Sequence, residues 1–166
     1  MTPTLWGGII VEGRELAQTT NEGLIMSSEN VSAIVVNNCK RLNLLRELFG
    51  PYYLMFESTV HSDMSEWSRL DFNNLSCWEF YSIDSKTIFL VPNTHQHYKM
   101  TNDKYYYNDT LSAYSAGLMI SIIAVEKLMW GVVGDWQEDL LEKYFSLIRY
   151  AEKQKESDKI LKIFKN

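Results

Sequence analysis

The sequence predicts an α+β fold in which a small antiparallel sheet of about three to four strands packs against a helical layer with one buried central helix. Residues 77–83 and 87–91 are rich in aromatic and β-branched side chains and are joined by three polar residues, a pattern typical of a hairpin. Residues 113–130 are apolar almost throughout, which indicates a helix surrounded by protein. Other segments repeat apolar residues at helical spacing.

The N-terminal part divides into an extension and the start of the folded domain. Residues 1–30 are a mixed polar stretch punctuated by glycines, and residues 31–166 are expected to form one domain opened by a strand at 31–36. A helix is predicted over 42–49, and Pro51 starts a second one that runs to 67. The apolar stripe of this second helix leaves Glu57, His61 and Asp63 on its expected exposed flank.

The C-terminal part contains the central helix and its neighbours. A third, weaker strand is expected at 96–100, and Ser112 is the expected N-cap of the central helix. Gly117 lies inside that helix, where glycine is unfavourable, so another backbone is expected to come close to it. Asp135 and Glu138 resemble a capping box for a helix ending near 152, and a last amphipathic helix follows.

Composition and charge exclude several classes of protein. A net charge of −5 and a pI of about 5.2 provide no basic surface for nucleic acid, so direct nucleic-acid binding is not expected. The N-terminus lacks the positive region of a secretory signal, and the most apolar window is shorter than the roughly 20 residues of a membrane span. A cytoplasmic protein is therefore expected.

Histidine is the residue type that most often marks a catalytic or metal site, and three are present. His95 and His97 would point the same way on a strand, as a two-histidine metal site requires, but no third ligand is indicated by spacing and a solvated turn is the competing interpretation. His61 with Asp63 or Glu57 has the spacing of an acid–base pair or, equally, of a solvated helix face. No cofactor motif is present, so we expect neither enzyme activity nor a cofactor.

The most distinctive short string is residues 78–81, Trp-Glu-Phe-Tyr. On a strand, Trp78 and Phe80 share one face, and Glu79 and Tyr81 share the other. Trp78 and Phe80 are therefore expected in the core. Glu79 and Tyr81 are either ordinary surface residues or part of a partner-binding face, since an exposed aromatic beside a carboxylate supplies both contact area and a polar group.

From about residue 40 to the C-terminus, several motifs follow in the order known from one family. The chain has RLNLL then FG at 41–50, CWEFY at 77–81, FLVP at 89–92, LSAYSAG at 111–117 and YFSLIRYA at 144–151. These strings resemble RLxFLPxxFG, GxWEFY, FYMAP, LSADAAG and YHxLRDYA of the ArdB/KlcA antirestriction family. The resemblance covers about three quarters of the chain, and the order of the motifs gives it its weight.

The resemblance implies an antirestriction protein of plasmids, phages or integrated elements that protects unmodified DNA from type I restriction enzymes. Arg149 and Tyr150 match the Asp and Tyr of the family motif, so the chain reverses a charge at Arg149. Together with Glu79 and Tyr81 they form the candidate interaction surface. Imitation of DNA requires about one carboxylate per 3.4 Å along each strand. Because acidic and basic residues are nearly balanced, we expect binding to a restriction complex or an associated host factor instead.

Two other hypotheses remain open from the sequence. The chain could be a binding module that counters a different host defence system, as the charge reversal at Arg149 would allow. It could also be an unrecognised metal-dependent hydrolase that uses His95, His97 or His61.

Overall fold

A computed structural model describes residues 31–72 and 78–165, so the expected N-terminal extension lies outside the described residues. The α+β class is confirmed. In chain order the elements are β1 (Ala33–Val35), α1 (Arg41–Phe49), α2 (Tyr53–Ser68), β2 (Trp78–Ile83), β3 (Thr87–Pro92), β4 (His97–Asn102), β5 (Tyr107–Ser112), α3 (Ala113–Gly131), α4 (Asp135–Glu152) and α5 (Ser157–Leu161).

The strands form two antiparallel sheets. One has the order β1-β2-β3, and β4 pairs with β5 in a separate ribbon. The predicted hairpin is confirmed: the Lys86 amide donates to the Ile83 carbonyl at 3.0 Å. Asp84 and Ser85, the two central residues of that turn, both have positive φ, and Lys86 completes the three-residue connection before Thr87. The register places Tyr81 opposite Phe89 and Phe80 opposite Leu90.

Helix α3 is the buried central helix, and it packs along the edge of β3. The Leu90 amide, which points away from β2, donates to Ser121 Oγ at 3.0 Å. Gly117 permits this approach, because a Cβ there would overlap the Leu90 carbonyl oxygen and lie 2.8 Å from the Cα of Val91. Helix α3 therefore covers the edge of β3 that pairs with no other strand of its sheet.

Helix α3 is also long and apolar enough, by length and composition, to cross a membrane. However, 72% of its apolar window is buried inside the protein, as in the core helix of a globular fold. Its apolarity is accounted for by packing against β3, α2 and α4.

Two sequence-based expectations for helices are wrong. Asp63 is not on an exposed flank of α2: it is 4% exposed and faces α3, where its carboxylate accepts from Lys127 Nζ at 2.8 and 2.9 Å. The buried stripe of α2 includes this position because it lies three and four residues from neighbouring core positions, Val60 and Trp67. The capping box is also absent, since Gly134 is the N-cap of α4 and makes no side-chain bond.

Strand β5 was not predicted. Its Asn108, Asp109 and Thr110 are polar, and Asn and Asp are depleted in strands. It is a strand because it pairs with β4 along six residues and buries only Tyr107 and Leu111. The weak strand expected at 96–100 is present as β4, displaced by about one residue.

Candidate interaction surface

Strand β2 separates its side chains between two environments. Trp78 and Phe80 are 1% and 4% exposed, whereas Glu79 and Tyr81 are half-buried on the opposite face. On the buried side, His61 of α2 stacks on Trp78 with ring centroids 4.8 Å apart, and the Arg41 guanidinium lies over the Phe80 ring. The strand therefore has one face in the core and one face that borders solvent.

Four aromatic rings meet where α3 and α4 pack on the face of the sheet that carries Tyr81, and we call them the tyrosine cluster: Tyr81, Phe89, Tyr114 and Tyr150. Tyr81 stacks on Phe89 at 5.5 Å, and Tyr114 meets both rings edge-on at 5.1 and 5.3 Å. Tyr150 of α4 lies 5.7 Å from Phe89. Offset and edge-on pairs at these separations stabilise the packing of the sheet against α3 and α4.

Hydrogen bonds orient the hydroxyl groups of this cluster. The Tyr81 hydroxyl donates to Glu79 Oε1 at 3.3 Å, and the hydroxyls of Tyr114 and Tyr150 bond to each other. Burial, followed by the charge of Glu79, raises the pKa of Tyr81. Burial and the bond with Tyr150 raise the pKa of Tyr114 well above its ordinary value. Both phenols are therefore neutral at physiological pH.

The four candidate interaction residues do not all lie in one place. Tyr81 and Tyr150 both belong to the tyrosine cluster, and Glu79 accepts a hydrogen bond from Tyr81, although Tyr150 is only 7% exposed and contributes mainly to packing. Arg149 is exposed on α4. It lines a cavity of about 220 Å³ with residues of the β2–β3 hairpin end, among them Ile83 and Asp84. The surface available to a partner on the cluster side is therefore that of Glu79 and Tyr81.

Ser112 and Gly117 position the start of the central helix. Ser112 Oγ accepts from the Ser115 amide at 3.2 Å, which is the geometry of an N-cap. The same hydroxyl donates to Glu156 Oε1 at 2.7 Å, and the Ser112 amide donates to that oxygen at 3.1 Å. These bonds hold Tyr114, two residues into the helix, against the sheet.

The histidines do not form a metal site among the residues described. His95 and His97 are both exposed, and the Nδ1 of His95 lies 3.1 Å from Thr94 Oγ1. Across residues 31–72 and 78–165, no group of three His, Cys, Asp or Glu side chains comes together. Burial lowers the pKa of His61, which is stacked on Trp78.

Sequence reasoning missed the contribution of Tyr114 to the candidate surface. In the string LSAYSAG this residue stands where LSADAAG of the family has an Asp, and that difference alone does not indicate a contact with the sheet. Its position two residues after an N-cap serine was visible, but its contact with Tyr81 depends on how α3 crosses the sheet. The most exposed of the large apolar side chains are Tyr106, Trp130 and Val133, and no sequence pattern indicated their exposure.

Comparison with known proteins gives consistent results. Antirestriction protein KlcA of Escherichia coli is 26% identical over 125 residues, which are 73% of this chain and 85% of that protein. A solved structure from work on KlcA and ArdB has a TM-score of 0.72 and 21% identity, and the match covers 84% of this chain and 98% of the other. That work describes a novel fold and antirestriction activity against type I DNA restriction systems in vivo but not in vitro. Residues 73–165, more than half of the chain, match the family described as Antirestriction protein, and the chain therefore belongs to the antirestriction family of ArdB and KlcA.

Proposed function

We propose that this protein is an antirestriction protein of a mobile genetic element, which inhibits a host type I restriction-modification system by contacting protein rather than by imitating DNA. The family match over residues 73–165 carries the proposal. The fold shared with proteins described as active against type I systems supports that target. The proposed site of action is the cytoplasm, where incoming DNA meets restriction enzymes.

The distribution of charge supports contact with protein. Residues 31–165 contain 17 acidic and 15 basic side chains, so the described part of the chain is close to neutral. Several carboxylates are paired with lysines, as in Asp63–Lys127, Asp139–Lys143 and Asp109–Lys162. Asp63 is also buried, and burial raises its pKa even though Lys127 partly offsets this effect. A DNA mimic would instead hold unpaired carboxylates at the spacing of phosphates.

We assign the contact to the face that carries Glu79 and Tyr81. Both side chains are half-buried. Phe89 and Tyr114 pack against the Tyr81 ring, and the Tyr81 hydroxyl donates to Glu79. A rigid aromatic ring beside a carboxylate is the kind of pair that contributes strongly to protein interfaces. Arg149 lies apart from this pair: it is exposed on α4 and lines the cavity at the end of the β2–β3 hairpin.

A host factor is included in the proposed mechanism. The KlcA and ArdB work describes activity in vivo but not in vitro. If this chain behaves in the same way, the inhibited complex contains a cellular component that purified restriction enzyme lacks. The partner is then either the restriction complex or a factor that acts with it.

Phage plating tests the proposal. Unmodified phage is plated on a strain with a type I system, with and without the expressed protein, and on an isogenic strain without restriction. We expect expression to raise the efficiency of plating on the restricting strain and to leave it unchanged on the other. Equal efficiencies on several type I strains, with the protein present at normal levels, would contradict the proposal.

A second candidate function is inhibition of a different host defence system. It is favoured by Arg149, a basic and exposed residue where the family motif has an acidic one. The same plating comparison separates the two, because this candidate predicts protection on strains with another defence system and none on type I strains.

A further inference from the structure

Strand β1 leaves one edge of the three-stranded sheet open. It pairs with β2 on one side, and no strand among the described residues pairs with its other side. Proteins ordinarily protect such an edge with charged residues, with proline, by keeping the strand short or by covering it. Residues 33–35 are Ala-Ile-Val and contain neither a charge nor a proline. The strand is short, but its length leaves apolar side chains exposed, Ile34 at 59% and Val35 at 53%.

The backbone groups that face the open edge follow from the pairing with β2. The Val36 amide donates to the Phe80 carbonyl at 2.7 Å, so these two residues form a hydrogen-bonded pair. Along antiparallel strands such pairs alternate with pairs whose backbone groups point outward. Ala33 and Val35 therefore direct their amides and carbonyls away from β2. Their two donors and two acceptors are aligned to bond another strand.

Both faces of β1 are uncovered as well. Ile34 and Val35 are successive residues, so their exposed side chains point to opposite faces of the sheet. A helix packed on one face would cover only one of them. An added strand would extend both faces, and its side chains would lie beside Ile34 on one face and beside Val35 on the other. The exposure on both faces therefore favours a strand as the cover of this edge.

We propose that residues 24–26 of the same chain, Leu-Ile-Met, pair with the open edge of β1 as an antiparallel strand. The described part of the structure begins at Val31, two residues before β1, and 30 residues of chain precede it. Residues 27–30, Ser-Ser-Glu-Asn, connect the apolar run to that point. Serine and asparagine favour turns, and connections of four or five residues are common in hairpins. The connection is thus suited to return the chain along β1.

Proximity along the chain favours this segment over other occupants. A short connection keeps residues 24–26 near the edge at an effective concentration on the order of millimolar. A second copy of the chain, or an extended segment of another protein, would have to compete with that concentration. The other run of three large apolar residues before β1 is Ile-Ile-Val at 9–11. It is much farther from β1 along the chain, so closing its loop costs more entropy.

The added strand would border the proposed contact face. Val35 lies opposite Tyr81 and therefore on the side of the sheet that carries Glu79 and Tyr81. A strand beside Val35 widens this side of the sheet and gives the contact face a new margin. This consequence rests on the proposed function, whereas the pairing of residues 24–26 with β1 does not.

Amide hydrogen exchange of the full-length protein, measured by NMR, tests the pairing residue by residue. The Ala33 and Val35 amides face the open edge, so they are protected only if another strand bonds to β1. We expect them to exchange at least about tenfold more slowly than amides of an unstructured chain. The Ile34 and Val36 amides face β2 and are internal controls, protected whether or not the edge is covered.

The double variant Leu24→Pro/Ile25→Pro is expected to remove the protection of Ala33 and Val35 and to leave that of Ile34 and Val36. Neighbouring amides of a strand point to opposite sides, so two successive prolines remove an amide that faces β1 in any register. Ile9→Pro/Ile10→Pro makes the same change in the other apolar run and is the matched control, expected to behave as the original protein.

Unprotected Ala33 and Val35 amides in the original protein would overturn the proposal. Protection that survives Leu24→Pro/Ile25→Pro would also overturn it, because another segment would then cover the edge. Protection that weakens on dilution would instead assign the edge to a second copy of the chain and would equally overturn it. The test needs no restriction system, so its failure is distinguishable from failure of the proposed function.

Discussion

At the scale of single residues, Gly117 sets the distance between the central helix and the sheet, because it has no side chain to hold them apart. A glycine inside a helix costs about 1 kcal/mol relative to alanine. Here that cost is offset by the close approach of α3 to the backbone of Leu90 and Val91, and by the bond from the Leu90 amide to Ser121 that the approach allows. Gly117 thereby helps to position Tyr114 against the other rings of the tyrosine cluster.

Substitution of Gly117 by alanine is therefore expected to destabilise the protein, although alanine favours a helix. The added Cβ would overlap backbone atoms that cannot rotate away, and such overpacking costs about 2 kcal/mol. In a chain of this size the expected fall in Tm is about 4–8 °C. Gly131→Ala is the control: it lies in the same helix, has no atom within 4 Å of its Cβ position, and should be neutral or slightly stabilising. Equal Tm values for the two variants would contradict this account of Gly117.

At the scale of elements, hydrogen bonds to Glu156 join the α4–α5 connection to the start of α3. Burial by itself raises the pKa of this carboxyl. Hydrogen bonds from Ser115 and Ser112 and the charge of Lys159 outweigh burial, so the pKa lies below its ordinary 4.5. A carboxyl with a lowered pKa stabilises the fold above its ordinary pKa, and that contribution is lost as the pH falls through the folded-state value.

Glu156→Gln is accordingly expected to destabilise the protein by about 1 kcal/mol at neutral pH, since it keeps the shape but loses the charged acceptor. The difference from the original protein should shrink as the pH falls below 4.5, where the carboxyl in the unfolded chain becomes protonated. Urea unfolding between pH 3 and 7 measures this dependence. Glu152→Gln, at an exposed position of α4, is the matched control for the change from carboxylate to amide. If the difference in free energy of unfolding between Glu156→Gln and the original protein stays constant with pH, the charge of Glu156 does not stabilise the fold.

Elements with strong local signals could be predicted from the sequence. The hairpin has a short polar turn between two runs that are rich in aromatic and β-branched residues. The central helix is preceded by Ser112, which does act as its N-cap. Strand β5 could not be predicted, because Asn108 and Asp109 are unfavourable in strands and pairing with β4 overrides that preference. Asp63 was misplaced for a related reason: only the position of Lys127 on another helix permits its burial.

The candidate site was predictable only in part. Alternation along β2 correctly separated Trp78 from Glu79 and Tyr81, because the two faces of a strand follow from sequence position alone. The contribution of Tyr114 depends on the crossing of α3 over the sheet, which no local pattern encodes. The burial of Tyr150 likewise results from the packing of α4 on β3.

At the scale of the whole molecule, charge and packing favour action through protein contact. The described residues are nearly neutral, and several of their carboxylates are already paired. The face with Glu79 and Tyr81 combines a rigid ring with an acidic group.

The most direct test of the central claim is phage plating on a type I restricting strain that expresses Glu79→Lys. This variant replaces the carboxylate that accepts a hydrogen bond from the Tyr81 hydroxyl with a positively charged group. It leaves the buried side of β2 unchanged. Glu66→Lys, an exposed charge reversal on α2, is the control. The account predicts that the original protein and Glu66→Lys both protect the phage, and that Glu79→Lys is folded but gives little or no protection. Full protection by Glu79→Lys would contradict the claim that this face contacts the restriction machinery.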